Sequence, residues 1–81
     1  MRVDKFLKVS RILKRRSVAN AACDTGRVYV NGKAAKPSHR LNVGDEVTVE
    51  FGTGTLKFTV KSLNERVAKE EADSLYEIKE H

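Results

Sequence analysis

Residues 2–32, RVDKFLKVSRILKRRSVANAACDTGRVYVNG, decide the fold, because the spacing of their apolar residues changes from a helical to a strand period. Residues 3–14 predict an amphipathic helix with an apolar face and a cationic face. The apolar arc contains Val3, Phe6, Leu7, Val9, Ser10 and Leu13, and the opposite side contains Lys5, Lys8, Arg11 and Arg15, with Ile12 among them. Asp4 lies where a carboxylate favours the start of a helix, so we expect it to have a structural role.

A second short helix is predicted from Arg16 to Asp24. Its apolar stripe at helical spacing contains Val18, Ala19, Ala22 and Cys23. Gly26 follows, and glycine tolerates the left-handed conformation that ends many helices. The sequence therefore predicts two consecutive helices joined at Lys14, Arg15 and Arg16.

The rest of the chain up to residue 62 predicts a small antiparallel sheet. Val28 and Val30 alternate with polar residues, and Asn31-Gly32 is the pair that type I′ hairpin turns favour. Pro37 confines residues 36–40 to a loop or a strand edge. Residues 43–45 form a turn between this loop and the strands 47–51 and 56–60, which are joined by a turn at 52–54. We expect about four short strands.

The tail from Asn64 is polar and acidic, but it has one apolar face at helical spacing. That face contains Ala68, Ala72, Leu75 and Tyr76. A short docked helix and disorder of the final residues both fit this pattern. We expect an α+β fold with two helices on a small antiparallel sheet, comprising one domain at residues 1–62 and an acidic, partly helical extension at 63–81.

Length and composition exclude several classes of protein. Eighty-one residues, 40% apolar and without Trp, support one small domain with a stability of only a few kcal/mol. Cys23 is the single cysteine, so we expect no internal disulfide, no metal site and no cofactor. There is no run of about 18 apolar residues and no signal-peptide pattern, which predicts a cytoplasmic protein that does not enter a membrane.

The charge is distributed unevenly along the chain. Residues 1–40 contain eleven Lys or Arg against two Asp, a net +9, whereas residues 41–81 carry a net −4. A positive potential concentrated in one half attracts polyanions. Lys8 and Arg11 extend the cationic joint at residues 14–16, so this surface is the candidate for contact with nucleic acid.

Catalytic constellations are nearly absent from the sequence. His39 and His81 are isolated, and Cys23 lies in an apolar stripe where a small core residue is expected. We assign no catalytic residue and predict that the protein is not an enzyme.

Among nucleic acids, the residue types favour folded RNA over DNA. The second helix is rich in Ala and offers only Asn20 as an amide for reading base edges in a major groove. Tyr29 is the only aromatic residue on a strand beside the basic half, too few for a base-stacking sheet. Cationic helices without base-reading side chains suit recognition of RNA backbone and shape.

The sequence resembles the RNA-binding domain family named after protein four of the small ribosomal subunit. The resemblance covers about residues 1–50 and lies in their ordered combination: Arg2-Val3-Asp4, Leu7, Arg16, Ala19, Gly26, Val28, Val30, Asn31-Gly32, Pro37-Ser38, Val43 and Gly44-Asp45. It implies two or three helices against a small sheet, with Arg2 and Arg16 facing RNA. The candidate RNA-binding residues are thus Arg2, Lys5, Lys8, Arg11, Lys14, Arg15 and Arg16. Arg15 departs from the pattern, because the family often has a capping Ser or Thr there.

The chain most resembles stand-alone bacterial members related to a small ribosome-associated heat-shock protein and to ribosome-associated quality-control proteins. That resemblance implies a monomer that binds a large ribosomal subunit carrying an obstructed peptidyl-tRNA, contacts its rRNA and the tRNA, and helps a partner factor add alanine tails to the stalled chain. Two alternatives remain open. The protein is a ribosome biogenesis or heat-shock factor, or it is an adaptor whose acidic tail recruits a protein.

Overall fold

The computed structural model describes residues 1–79, and in it two helices pack on one face of an antiparallel sheet. The elements are α1 (Val3–Val9), α2 (Arg16–Asp24), β1 (Val28–Val30), β2 (Lys33–Ala34), β3 (Glu46–Phe51), β4 (Gly54–Val60), a 3₁₀ helix (Lys69–Leu75) and β5 (Tyr76–Ile78). The strands lie in the order β2-β1-β3-β4-β5, and all neighbours are antiparallel. The predicted α+β class is confirmed.

The first helix is shorter than its apolar periodicity predicts, so the prediction is wrong for residues 10–14. Ser10 caps α1, and Arg11 has a left-handed φ of 62°, which an α-helix cannot continue. The N–H of Arg11 donates to the carbonyl of Lys8 (3.1 Å), and the N–H of Leu13 donates to that of Leu7 (2.9 Å). The chain thus reverses, while Ile12 and Leu13 still pack against the core from a turn.

The second helix has the predicted bounds and the predicted glycine end. Gly26 has a φ of 74°, and its N–H donates to the carbonyl of Cys23 (3.1 Å), while the N–H of Arg27 donates to that of Ala22 (2.9 Å). These two bonds form a Schellman motif.

The expected apolar stripe of α2 is wrong at Val18, whose surface is 48% exposed. Ala19 and Cys23, one helical turn apart, form the buried contact instead. Their small side chains let α2 lie close to α1, and Val18 points to a different side of the helix.

The predicted hairpin turns join neighbouring strands of the sheet. Asn31 and Gly32 both have positive φ, at 51° and 85°, as a type I′ turn requires. β3 and β4 pair from Glu46↔Thr59 to Phe51↔Gly54, so the loop between them is residues 52–53.

The tail contains the expected short docked helix, which is a 3₁₀ helix and not an α-helix, and β5 adds a strand to the expected four within residues 1–79. Ala72 and Leu75 are buried three residues apart, which suits the three residues per turn of a 3₁₀ helix. Ala68 is exposed, and Tyr76 begins β5, where it pairs with Val60. Residues 80–81 of the predicted extension, including His81, lie outside the described residues.

The core lies between the helices and the sheet, and aromatic rings link α1 to β5. Phe6 stacks on Phe58 with ring centroids 5.9 Å apart, and Tyr76 meets Phe58 edge-on at 5.5 Å. Leu75, just before β5, is fully buried in the same core. The segment after residue 62 therefore contributes to the packing of the domain.

We predict that Leu75→Ala lowers the free energy of unfolding by about 2–4 kcal/mol, because it leaves a cavity in the core. The matched control is Ile78→Ala on β5, which removes a 43% exposed side chain and costs less than about 1 kcal/mol. Urea unfolding followed by circular dichroism measures both. Equal losses in the two variants would show that the tail does not pack as described.

Candidate RNA interface

The two helices meet at the buried carboxylate of Asp4. Asp4 lies in the first turn of α1 and only 1% of its surface is exposed. Its Oδ1 accepts the backbone N–H of Lys5 at 2.7 Å. Its Oδ2 lies 3.1 Å from Nη2 of Arg2, 3.5 Å from Nε of Arg16 and 3.4 Å from Nδ2 of Asn20. We call these four side chains, Arg2, Asp4, Arg16 and Asn20, the Asp4 cluster.

The environment of Asp4 keeps the carboxyl group ionised. Burial by itself raises its pKa. The hydrogen bond from Asn20 and the N–H of Lys5, together with the charges of Arg16 and Arg2, outweigh burial, so the pKa lies below the ordinary value of 3.8. The carboxylate is therefore a fixed negative charge at neutral pH.

Two arginines distant in sequence are held by this one charge. The side chains of Arg2 and Arg16 are 42% and 48% exposed, whereas that of Asp4 is 2% exposed. Each guanidinium therefore meets the buried carboxylate on one side and leaves N–H donors toward solvent on the other. Planar guanidinium groups held in this way suit phosphate oxygens.

The helix starts at this interface have no side-chain caps within residues 1–79. Arg2 precedes α1 and Arg15 precedes α2, and neither side chain accepts a capping hydrogen bond. Arg15 therefore leaves α2 without the side-chain cap that a Ser or Thr at this position can supply. Asp4 compensates at α1, because its carboxylate accepts a first-turn N–H.

A second cationic group lies at the other end of α1. Lys8, Arg11 and Lys14 line a groove of about 230 Å³, together with the carboxylate of Glu65 and the apolar residues Val9, Leu13 and Val67. The turn after α1, which the helical prediction missed, brings Arg11 and Lys14 to this groove. The three cations therefore form one surface, which we call the α1-end groove.

Among the predicted residues outside the Asp4 cluster, Lys5 differs from the rest, because its charge is paired within residues 1–79. Its Nζ lies 2.8 Å from Oε1 of Glu65, and Lys5 lowers the pKa of that carboxyl group. Both side chains are partly exposed, so the ion pair adds little stability. Sequence reasoning missed Glu65, since nothing in the order of residues places the tail against α1.

Arg15 and Asn20 lie at the start and in the middle of α2 and have different environments. Arg15 is exposed beside Arg16 and has no ion pair within residues 1–79. Asn20 enters the Asp4 cluster from one helical turn beyond Arg16, a spacing that could have indicated it.

Cys23 is a small core residue, as predicted. It is buried, and burial, followed by the charges of Asp4 and Asp24, raises the pKa of its thiol to about 11. The thiol is therefore neutral. Within residues 1–79 no group of three or more His, Cys, Asp or Glu side chains is arranged to hold a metal ion, and no helix is long and apolar enough to cross a bilayer.

Comparison with known proteins gives both family and fold relatives. The S4 domain model matches residues 1–47. The chain is 47% identical over 79 residues to the RQC P-site tRNA stabilizing factor of Halalkalibacterium halodurans, covering 98% of this chain and 90% of that protein. It is 49% identical to the protein of the same name from Streptococcus pneumoniae, covering 96% of this chain and 89% of that protein. The trimeric structure of Vibrio cholerae heat shock protein 15 has a TM-score of 0.89 at 31% identity, covering 98% of this chain and 81% of that one.

We predict that Asp4→Asn lowers the free energy of unfolding at pH 7 by about 1–3 kcal/mol, because it removes the charge that two arginines share. A carboxyl group with a depressed folded-state pKa stabilises the fold above its unfolded pKa and loses that contribution as the pH falls through the folded value. The difference between wild type and Asp4→Asn should therefore shrink below about pH 3.8.

Urea unfolding from pH 7 to pH 2 measures this difference, and the exposed Asp73→Asn is the control for an unrelated carboxylate. A difference that stays constant or grows as the pH falls would contradict the depressed pKa of Asp4.

Proposed function

The chain belongs to the S4 domain family, and from that premise we propose that it is an RNA-binding factor of ribosome-associated quality control. In this role it binds a large ribosomal subunit that carries an obstructed peptidyl-tRNA and contacts both rRNA and tRNA. The observation that carries the proposal is the near-full-length similarity to relatives named RQC P-site tRNA stabilizing factor.

The Asp4 cluster supports an RNA-binding role for the two helices. Arg2 and Arg16 come from different segments, yet one carboxylate holds both. Arginines that are already oriented lose less side-chain entropy on binding phosphate than free ones do. We propose that they bind the RNA backbone and that Asp4 and Asn20 are positioning residues.

The α1-end groove offers a second contact for RNA. Lys8, Arg11 and Lys14 point into one groove and supply three positive charges to a backbone that passes there. We propose that Arg15 extends the contact from its exposed position and that Lys5 joins it when RNA competes with Glu65. Two cationic regions on one small domain suit a protein that bridges two RNA molecules.

Stabilising the tRNA on the subunit supports alanine tailing in the proposed mechanism. A partner factor adds alanine to the stalled chain, and this protein keeps the tRNA in place through each elongation cycle. It contributes binding and no catalytic group. We propose that a single copy acts in this way, in the cytoplasm, where ribosomes are found.

A heat-shock factor of the large subunit is the second candidate, favoured by the similarity to Vibrio cholerae heat shock protein 15. An adaptor whose acidic tail recruits a protein has less support than either of these two functions. Leu75 is buried in the core and β5 pairs with β4, so much of the tail is committed to the fold.

We predict that Arg16→Ala weakens binding to purified large subunits by at least about tenfold and lowers the slope of log affinity against log salt by about one. Arg2→Ala should act in the same direction. The charge-matched control is Lys57→Ala, which removes an exposed cation from the face of β4 opposite the helices. Co-sedimentation across a salt series measures all three, and circular dichroism checks that each variant is folded.

Equal binding by Arg16→Ala and Lys57→Ala would refute the proposed interface. A separate measurement decides between the two candidate functions. In cells that lack the gene, we expect alanine tails on a stalled reporter chain to be reduced, and restored by wild type but not by Arg16→Ala. Unchanged tailing in the deletion would favour the heat-shock alternative.

A further inference from the structure

An open cleft of about 410 Å³ lies beside the Asp4 cluster, between α2 and the turn at residues 36–38. Backbone hydrogen bonds join the start of α1 to the loop that forms one wall of this cleft. The N–H of Val3 donates to the carbonyl of His39 (2.8 Å), and the N–H of Asp4 donates to that of Pro37 (3.3 Å). The volume is within the range of pockets that bind small ligands, and a nucleoside is of this size.

One wall of the cleft is a single face of α2. Asn20, Cys23 and Asp24 line it at the i, i+3 and i+4 spacing that brings side chains together. The amide nitrogen of Asn20 is bonded to Asp4, so its amide oxygen is the group left to meet a ligand. Asp24 adds a carboxylate, which also accepts hydrogen bonds and repels phosphate.

The other wall is cationic and partly apolar. Lys36 and Arg2 supply positive charge, and Pro37 supplies a flat apolar surface. Cys23, across the cleft, is a neutral thiol because burial raises its pKa to about 11. A cleft that combines acceptors, cations and apolar surface does not match a bare phosphate, but it matches a planar ring with polar edges.

A buried donor of Arg2 is a second observation at this cleft, independent of the other lining residues. Its Nε is buried and has no hydrogen-bond partner within residues 1–79. Buried donors without partners are rare in folded proteins, so this N–H group stands out within residues 1–79. Arg2 therefore has an Nε–H donor without a partner at the edge of the cleft, while its Nη2 stays on Asp4.

We propose that this cleft receives one unpaired nucleobase of the RNA whose backbone Arg2 and Arg16 bind. The inference rests on the proposed RNA-binding function and adds the class of ligand to it. Asp24 accepts a hydrogen bond from an exocyclic amino group, as carboxylates do with cytosine. Adenine, cytosine and guanine carry such a group and uracil does not, so the cleft disfavours uracil.

The test uses labelled RNA hairpins that are identical except for a single bulged nucleotide. Fluorescence anisotropy gives the affinity of the full chain for the cytosine-bulged and the uracil-bulged hairpin. We expect wild type to prefer the cytosine bulge by at least about fivefold. Asp24→Ala should reduce this ratio to about one. The ratio is the readout because removing any carboxylate raises the general affinity for RNA, and that effect cancels between two hairpins of equal charge.

The matched control is Asp73→Ala, which removes an exposed carboxylate from the 3₁₀ helix and should keep the preference of wild type. A ratio near one in wild type, including absence of binding to both hairpins, overturns the proposal. An Asp24→Ala ratio equal to that of Asp73→Ala also overturns it. None of these outcomes decides the proposed RNA-binding function. Co-sedimentation of Arg16→Ala with the large subunit tests that function separately, because its result does not depend on the cleft.

Discussion

The carboxylate of Asp4 must remain charged although almost none of its surface reaches solvent. Removing a charge from water costs several kcal/mol, and the cost is offset only when partners surround the group. Here the partners come from the residue before α1, from α1 itself and from two positions of α2. The same contacts fix the two helices relative to each other and orient the arginines that we propose to bind RNA. Structure and candidate function thus depend on one ion cluster.

Much of the fold follows from local chemistry. Gly26 and Asn31-Gly32 have the positive φ values that their turns demand, and alternating valines identify β1 and β3. The sequence predictions are wrong where contacts between residues distant in sequence determine the structure. Arg11 has a left-handed φ, which lets the chain reverse and pack Leu13 on the core. No residue type in this segment indicates the reversal. β5 forms because it pairs with the edge of β4, and these two segments lie apart in sequence.

The sequence indicated the cationic residues of the candidate site but not their arrangement. Spacing and charge indicated Arg16 as part of a cationic joint, whereas Arg2 was indicated by the family resemblance alone. Their shared partner did not follow, because a carboxylate in a first helical turn is explained equally well as a helix-start residue. Lys5 and Glu65 show the same limit, since only the folded tail brings them together. The distribution of charged residues along the sequence therefore indicates which surface is cationic, but it does not indicate which of these residues form ion pairs.

The most direct test is a double-mutant cycle between Asp4 and Arg16, with affinity for the large ribosomal subunit as the measured quantity. If Asp4 acts by holding Arg16, then Asp4→Asn weakens binding in the wild-type background and has little further effect in Arg16→Ala. The two changes should show a coupling energy of about 1 kcal/mol or more. Additive effects, with the same loss in both backgrounds, would contradict the account.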